Sequence, residues 1–211
     1  MDFEVQIPPS VENMQLPAPE LVQYYEDLDH RCIWVVGEIG TELLDLSSKI
    51  MKWNAEDRLV PVEDRIPIRL YIFSPGGDLA VTMNTVSVMR MSKTPIYTYN
   101  MGECFSGAFV LLIAGHKRFA LPYSRAMCHF GSGVVGGTYG QTANAMKDYN
   151  VQVEAMKNFI IDRTKIPQKV LNKKMTDDWY LTLDEQITNG VVDSVIDSVD
   201  TLIGEEVSYG G

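Results

Sequence analysis

The sequence predicts an α/β domain with a largely parallel sheet. Short apolar runs typical of buried strands alternate with longer segments of helical period, and the connections between them contain Gly and Pro. The chain has 211 residues, of which 45% are hydrophobic and 22% charged, as expected for one globular domain with a sizeable core. This pattern favours βαβ units, and the sequence has no internal repeat.

The elements of the first half follow in order. Residues 1–20 contain four prolines and no hydrophobic period, which predicts an arm outside the core. "CIWVVG" (32–37) predicts a buried strand, and "IRLYIF" (68–73) predicts a second strand that ends at "SPGG". A polar connection precedes the second strand, and "LAVTMNTVSVMRMS" predicts the helix after it. The helix between the strands has one apolar face, made of Leu43, Leu46, Ile50 and Trp53.

The second half continues the alternation. Pro95 precedes the strand "IYTYNM", and residues 106–114 are small and apolar all round, which predicts a buried helix with Ser106 in its first turn. Two short strands, "KRFALP" and "RAMCHF", and the Gly-rich loop "GSGVVGGTYG" follow. The helix "TLDEQITNG" and the strand "VVDSVI" end the domain. Before them lies a long amphipathic helix with an apolar face of Met146, Tyr149, Val153, Met156 and Ile160.

Composition excludes several classes of function. The net charge of -10, without a cluster of Lys and Arg, argues against nucleic-acid binding. No apolar stretch is long enough to span a membrane, and we expect no targeting segment in the acidic, Pro-rich N-terminus. The three cysteines lack C-x-x-C spacing, so we expect neither disulfides nor a metal, and the cytoplasm is the expected location.

Ser106 in "MGECFSGAF" is a candidate nucleophile, which needs a base, a group that orients the base, and donors for an oxyanion. Among the three histidines, His129 ends an apolar strand, where rigid elements present functional groups, whereas His30 and His116 lie in polar surroundings. A structural role for His129 stays open. A Cys–His pair is the rival, although Cys104 and Cys128 also fit as small buried hydrophobes.

The remaining groups are less distinctive. The acid pair Asp177 and Asp178 in "MTDDWYLT" offers an orienting carboxylate, but it also fits a helix N-terminus. The turn "SPGGDL" leaves backbone N–H groups open to a ligand, and Gly107 follows Ser106 at a helix start. Such turns are common, so neither motif alone identifies an oxyanion hole.

Four segments in order resemble the proteolytic subunits of the Clp protease: "LYIFSPGGDL", "MGECFSGAFVLLIAG", "KRFALPYSRAMCH" and "DDWYLTLDEQITNGVVDSV". The likeness runs from about residue 25 to residue 196. It implies that Ser106 is the nucleophile, His129 the base and Asp178 the acid, with Gly76 and Gly107 as the oxyanion donors. It also implies that the Gly-rich loop binds the substrate backbone as a strand edge, through Gly133, Val134 and Val135.

The resemblance further implies a Clp/crotonase-like fold of stacked βαβ units with a protruding handle helix. The protease domain would span residues 21–204 and a tail residues 205–211. Subunits of this family form seven-membered rings, possibly stacked in pairs, around a chamber in which unfolded polypeptides are cleaved. A partner AAA+ ATPase uses ATP, so we expect no cofactor in this chain. These implications make the protein an ATP-dependent serine endopeptidase subunit.

Departures from the family pattern qualify this expectation. Phe105 and Cys104 replace two alanines, so we expect Phe105 to narrow the substrate pocket. Phe130-Gly131 replaces Gln-Pro, so we expect a looser segment after His129. Two other functions remain: a ring subunit that does not cleave, and an acyl-CoA enzyme of the crotonase superfamily, which needs no Ser-His-Asp set.

Asp177 stands where the family often has an arginine that pairs across stacked rings. An acidic side chain cannot form that pair and adds repulsion at close approach. We therefore predict that seven-membered rings form but that their stacking is weaker or uses a different register, and that it depends on salt or on a partner, with Asp177→Arg as the comparison. Mass measurement in solution across protein concentration and ionic strength checks this. A stable fourteen-subunit particle that is insensitive to salt and to the substitution would contradict it.

Overall fold

The fold is described from a computed structural model for residues 18–131 and 136–203. Seven strands form one sheet within these ranges. They are β1 (Cys32–Ile39), β2 (Ile68–Gly77), β3 (Ile96–Phe105), β4 (Lys117–Ala120), β5 (Arg125–Cys128), β6 (Trp179–Leu181) and β7 (Ser194–Val195).

Eight α-helices accompany the strands in the same ranges. They are α1 (Pro19–Asp29), α2 (Leu44–Glu56), α3 (Leu79–Met91), α4 (Gly107–Ala114), α5 (Tyr139–Arg163), α6 (Gln168–Lys174), α7 (Leu183–Thr188) and α8 (Val199–Ile203). Three short 3₁₀ turns lie at Thr41–Leu43, Asp57–Leu59 and Val62–Asp64. None of the helices in the described part of the chain is long and apolar enough to cross a membrane.

The main sheet is parallel in the order β1-β2-β3-β4-β7. Helices α2, α3 and α4 connect its first four strands, which is the predicted βαβ pattern. β3 has two partners, because its first half pairs with β4 and its end, residues 103–105, pairs with β5. β5 then pairs antiparallel with β6. The end of β3 is therefore the point where the sheet divides.

The core lies between the sheet and the helices. All eight residues of α4 are buried, as its uniformly apolar sequence predicts. The predicted face of α2 is buried as well. On the other side of the sheet, aromatic rings pack in a row across four strands, with ring centroids 4.8 to 4.9 Å apart: Trp34, Tyr71, Tyr99 and Phe119.

The predicted α/β class and the alternation of elements are confirmed, with local differences. β2 continues through the "SPGG" turn to Gly77, and β3 continues to Phe105, because both ends find pairing partners. Ser106 precedes α4 instead of lying in its first turn. α1 begins at Pro19 and so includes the last two residues assigned to the arm. Residues 1–17 of the arm and the tail, 205–211, lie outside the described residues.

A buried ion pair joins the junction of α1 and β1 to the 3₁₀ turn that follows α2. The Arg31 guanidinium donates to both carboxylate oxygens of Asp57, at 2.6 and 2.8 Å, and the Thr94 hydroxyl donates to the same carboxylate at 2.8 Å. Arg31 has a left-handed backbone, with φ of 54°, at the start of β1. The hydrogen bond from Arg31 lowers the pKa of Asp57 despite its burial. The carboxylate is therefore charged and fully partnered in the folded state.

Asp57→Asn is expected to lower the free energy of unfolding by about 3 kcal/mol at pH 7, because it leaves the largely buried Arg31 guanidinium without a counter-charge. Urea unfolding at fixed protein concentration measures the loss. The folded-state pKa is depressed, so the carboxylate stabilises the fold above its unfolded pKa of about 4 and loses this effect as the pH falls towards the folded pKa. The difference in the free energy of unfolding between the parent protein and Asp57→Asn should therefore shrink as the pH is lowered.

Asp45→Asn is the matched control, because Asp45 pairs with Lys49 on the surface of α2. Exposed pairs of this kind contribute about 0.5 kcal/mol. Equal losses in the two variants would show that the buried pair has no special part in stability.

Candidate active site

Ser106 occupies the sharp turn between β3 and α4. Its φ is 52° and its ψ -119°, a region that residues other than glycine rarely adopt. The Ser106 N–H donates to the Met127 carbonyl at 2.8 Å, so the pairing of β3 with β5 extends one residue into the turn. The side chain makes no capping bond to α4. The hydroxyl is thereby left free to act outside the helix.

His129 is directly beyond the end of β5, and its ring joins two side chains. Nε2 lies 2.8 Å from the Ser106 Oγ, and Nδ1 lies 3.0 Å from the Asp178 Oδ1. With the proton on Nδ1, the ring donates to the carboxylate and accepts from the serine hydroxyl. This is the tautomer that a general base for Ser106 requires.

The β5–β6 register explains why His129 and Asp178 meet. Cys128 pairs with Trp179 in this antiparallel pair, so the next residue of β5 lies opposite the residue before β6. Those two residues are His129 and Asp178. The imidazole is 18% exposed and the carboxylate 53%, so the pair opens to solvent on the carboxylate side.

The two glycines expected to donate to an oxyanion both lie against Ser106. A Cβ at Gly76, where φ is +93°, would meet the Ser106 Cβ at 2.7 Å and the Gly107 N at 2.8 Å. Gly107 is the first residue of α4, where N–H groups have no partner within the helix and the helix dipole favours negative charge. The Gly76 N–H donates to the Ser74 Oγ at 3.0 Å, so it must share or exchange that bond to reach a ligand.

A cleft of about 580 Å³ contains Ser106, His129 and both glycines. Much of its remaining wall is apolar, from Leu79, Met127, Phe130, Tyr149 and Met156. Glu38 and Asp78 also line the cleft, so its wall combines apolar and acidic side chains. Gly133, Val134 and Val135, the predicted substrate strand, lie outside the described residues and stay a prediction.

The Clp protease family model matches residues 20–199. The chain belongs to the Clp protease family. Among its relatives, ATP-dependent Clp protease proteolytic subunit 2 of Corynebacterium glutamicum is 34% identical over 172 residues, which cover 80% of this chain and 83% of the relative. ATP-dependent Clp protease proteolytic subunit 1 of Rhodopirellula baltica is 33% identical, covering 80% of this chain and 73% of the relative. Membership of this family supports a peptidase function for the chain.

The rival thiols of this Clp family member are unsuited to act as nucleophiles. Cys104 is wholly buried in β3, and burial raises its pKa well above the usual value. Burial likewise raises the pKa of Cys128 to about 12. Both thiols stay protonated near neutral pH, and a thiol reacts as its thiolate. They fit the alternative interpretation, that of small buried hydrophobes.

The structure bears on two expectations about the family departures, and one of them needs revision. Phe105 does not line the cleft; its ring packs edge-on against Tyr180, with centroids 5.5 Å apart. In the segment after His129, both backbone polar groups of Phe130 are hydrogen-bonded. Tyr149, one of the partners, was assigned to an apolar helix face, because helical period does not indicate where a hydroxyl points. Residues 132–135 lie outside the described residues, so the looser loop stays a prediction.

Gly76→Ala is expected to lower kcat/KM for a peptide by on the order of 10²-fold or more, because the added methyl group overlaps the Ser106 turn and displaces the nucleophile. The rate of Ser106 labelling by a fluorophosphonate should fall with it. Gly140→Ala is the control, since a Cβ there meets nothing within 4 Å. Full labelling of the Gly76 variant would show that the turn tolerates a side chain and that its close approach is not required.

Proposed function

We propose that the chain is a serine endopeptidase of the Clp type, with Ser106, His129 and Asp178 as its catalytic residues. The continuous hydrogen-bonded path from Ser106 through His129 to Asp178, at 2.8 and 3.0 Å, carries this proposal. Membership of the Clp protease family supports the reaction class. The assignment of each role comes from the geometry and chemistry of the residues.

In the first half of the reaction, the Ser106 Oγ attacks a peptide carbonyl carbon while the His129 Nε2 takes the hydroxyl proton. Asp178 accepts a hydrogen bond from Nδ1–H and stabilises the imidazolium that forms. The carbonyl oxygen becomes an oxyanion, which accepts hydrogen bonds from the N–H groups of Gly76 and Gly107. When the C–N bond breaks, His129 gives its proton to the leaving amine and an acyl-enzyme remains.

In the second half, a water molecule attacks the acyl carbon and His129 takes one of its protons. The C–O bond to Ser106 breaks, the serine regains its proton from His129, and the carboxylic acid product leaves. No step requires a metal or an organic cofactor, since the proton and the negative charge are both held by groups of this chain. In both halves His129 first takes a proton and then gives it up, while Asp178 and the two N–H donors keep the same roles.

Assembly and partners are proposed from the relatives, which are named ATP-dependent Clp protease proteolytic subunits. We propose self-association into seven-membered rings that enclose the sites, an AAA+ unfoldase that supplies unfolded polypeptides, and broad sequence preference. The unfoldase is the component that would use ATP. All three cysteines are free thiols, which fits a reducing compartment, and we propose the cytoplasm.

Ser106→Ala is expected to lower kcat for an unstructured peptide by on the order of 10⁴-fold or more while the fold and assembly persist. The fold should persist because the hydroxyl makes no helix cap and the alanine methyl group replaces the serine Cβ. Steady-state peptide cleavage and solution mass measure the two effects. Ser87→Ala on the exposed face of α3 is the control, and a fluorophosphonate should label the parent protein but not the Ser106 variant.

Three outcomes separate the alternatives. Full activity in Ser106→Ala would reject the serine mechanism. A parent protein that forms rings but neither cleaves peptides nor reacts with the probe would be the non-catalytic ring subunit. Turnover of an acyl-CoA thioester that survives Ser106→Ala would favour the crotonase-type enzyme, in which the paired N–H donors act without a nucleophilic serine.

A further inference from the structure

Phe130 and Gly131 directly follow His129, and the backbone of Phe130 is hydrogen-bonded to two residues outside β5. The Phe130 N–H donates to the carbonyl of Met175, just after α6, at 3.0 Å. The Phe130 carbonyl accepts from the Tyr149 hydroxyl of α5, also at 3.0 Å. The N–H and the carbonyl of Phe130 are therefore both hydrogen-bonded to residues outside β5. This arrangement restrains the chain one residue beyond the imidazole.

Tyr149 and Gly131 fit each other closely. A Cβ at Gly131 would overlap the Tyr149 hydroxyl oxygen, and the next nearest atom, the ring carbon that bears the hydroxyl, would be at an ordinary 3.6 Å. Gly131 also has a φ of +90°, a conformation that L side chains rarely adopt. In this conformation the Phe130 carbonyl accepts the hydrogen bond from the tyrosine hydroxyl. A side chain at position 131 would exclude the hydroxyl.

The Phe130 side chain adds a third restraint from the same helix. The Lys157 ammonium lies over its ring, 5.6 Å from the centroid. Cation–π contacts of this kind contribute about 0.5 to 1 kcal/mol at exposed sites, so this restraint is weaker than a hydrogen bond that fixes the backbone. The tyrosine bond is the contact that orients the peptide.

His129 depends on such restraint because it has to satisfy two directional contacts at once. Its ring is 2.8 Å from the Ser106 Oγ and 3.0 Å from the Asp178 Oδ1, and hydrogen bonds weaken quickly as length and angle depart from these values. Asp178 is half-exposed, so water competes for the carboxylate and the carboxylate alone does not hold the ring. The backbone on either side of His129 must do so.

We propose that Tyr149 is a positioning residue for His129: its hydroxyl anchors the Phe130 carbonyl and so sets the approach of the imidazole to Ser106. This proposal rests on the proposed function of Ser106 and His129. Tyr149 also lines the cleft, but the positioning role needs only its hydroxyl. The ring supplies the apolar wall, and a phenylalanine supplies the same wall without the donor. The substitution Tyr149→Phe therefore removes the hydrogen-bond donor and keeps the apolar wall.

Tyr149→Phe is expected to lower kcat for peptide cleavage about tenfold and to leave KM within about twofold, because the donor is lost while the wall of the cleft stays. The rate of fluorophosphonate labelling of Ser106 should fall in parallel. Thermal unfolding should change little, since water in the open cleft can hydrate the freed carbonyl. Tyr123→Phe is the control, because Tyr123 lies in an exposed turn away from the cleft. An unchanged kcat in Tyr149→Phe would overturn the proposal.

A double-mutant cycle tests the contact itself. Gly131→Ala in the parent protein should lower kcat more than Tyr149→Phe does, because the methyl group expels the hydroxyl and strains the backbone. The double variant should be more active than Gly131→Ala alone, since removing the oxygen makes room for the methyl group. If Gly131→Ala and the double variant had equal activities, the proposal would be overturned. Activity retained in Ser106→Ala would instead reject the nucleophile assignment, whichever result these variants give.

Discussion

The candidate site depends on the close approach of two turns, the one after β2 and the one after β3. Gly76 contacts the Ser106 turn so closely that a methyl group has no room between them. The approach places two backbone N–H groups beside one hydroxyl, and it holds Ser106 in a conformation that costs on the order of 1 to 3 kcal/mol. The burial of α4 and the bond from the Ser106 N–H to Met127 offset that cost. Strain at the nucleophile is thus maintained by the core.

The antiparallel pair β5–β6 supplies the other half of the site. A purely parallel sheet would bring only strand ends of one direction to this edge, whereas β6 runs the opposite way and so begins where β5 ends. Asp178 before β6 therefore meets His129 after β5. β3 makes this possible because it leaves β4 and pairs with β5 at residues 103–105, directly before Ser106. One strand end thus joins the parallel sheet to the pair that carries the base and the acid.

The sequence predicted most of the fold, because burial leaves a clear pattern there. The uniformly apolar α4, the face of α2 and the alternation of strands and helices were confirmed. Composition could not show which of Asp177 and Asp178 orients the base, and only the resemblance to the Clp family indicated Asp178. In the structure, Asp178 contacts His129. Phe105 was assigned to the cleft incorrectly, because its neighbour in sequence is Ser106 but its neighbour in space is Tyr180 of β6, a contact that the sequence does not show. Register and side-chain direction decide these details, and neither can be derived from one-dimensional periodicity.

The long helix α5 links the site to the outer surface of the subunit. Residues 139–150 contain no buried side chain, whereas Val153, Met156 and Ile160 are buried against the domain. Tyr149 lies at the junction between these two halves and is bonded to the residue after His129. A change in the position of α5 at this junction would therefore move the Phe130 carbonyl, and with it the imidazole. If the exposed half of α5 contributes to the proposed assembly, the position of the His129 imidazole depends on a helix that other subunits contact. The position of Ser106 does not depend on α5, because the buried helix α4 fixes it.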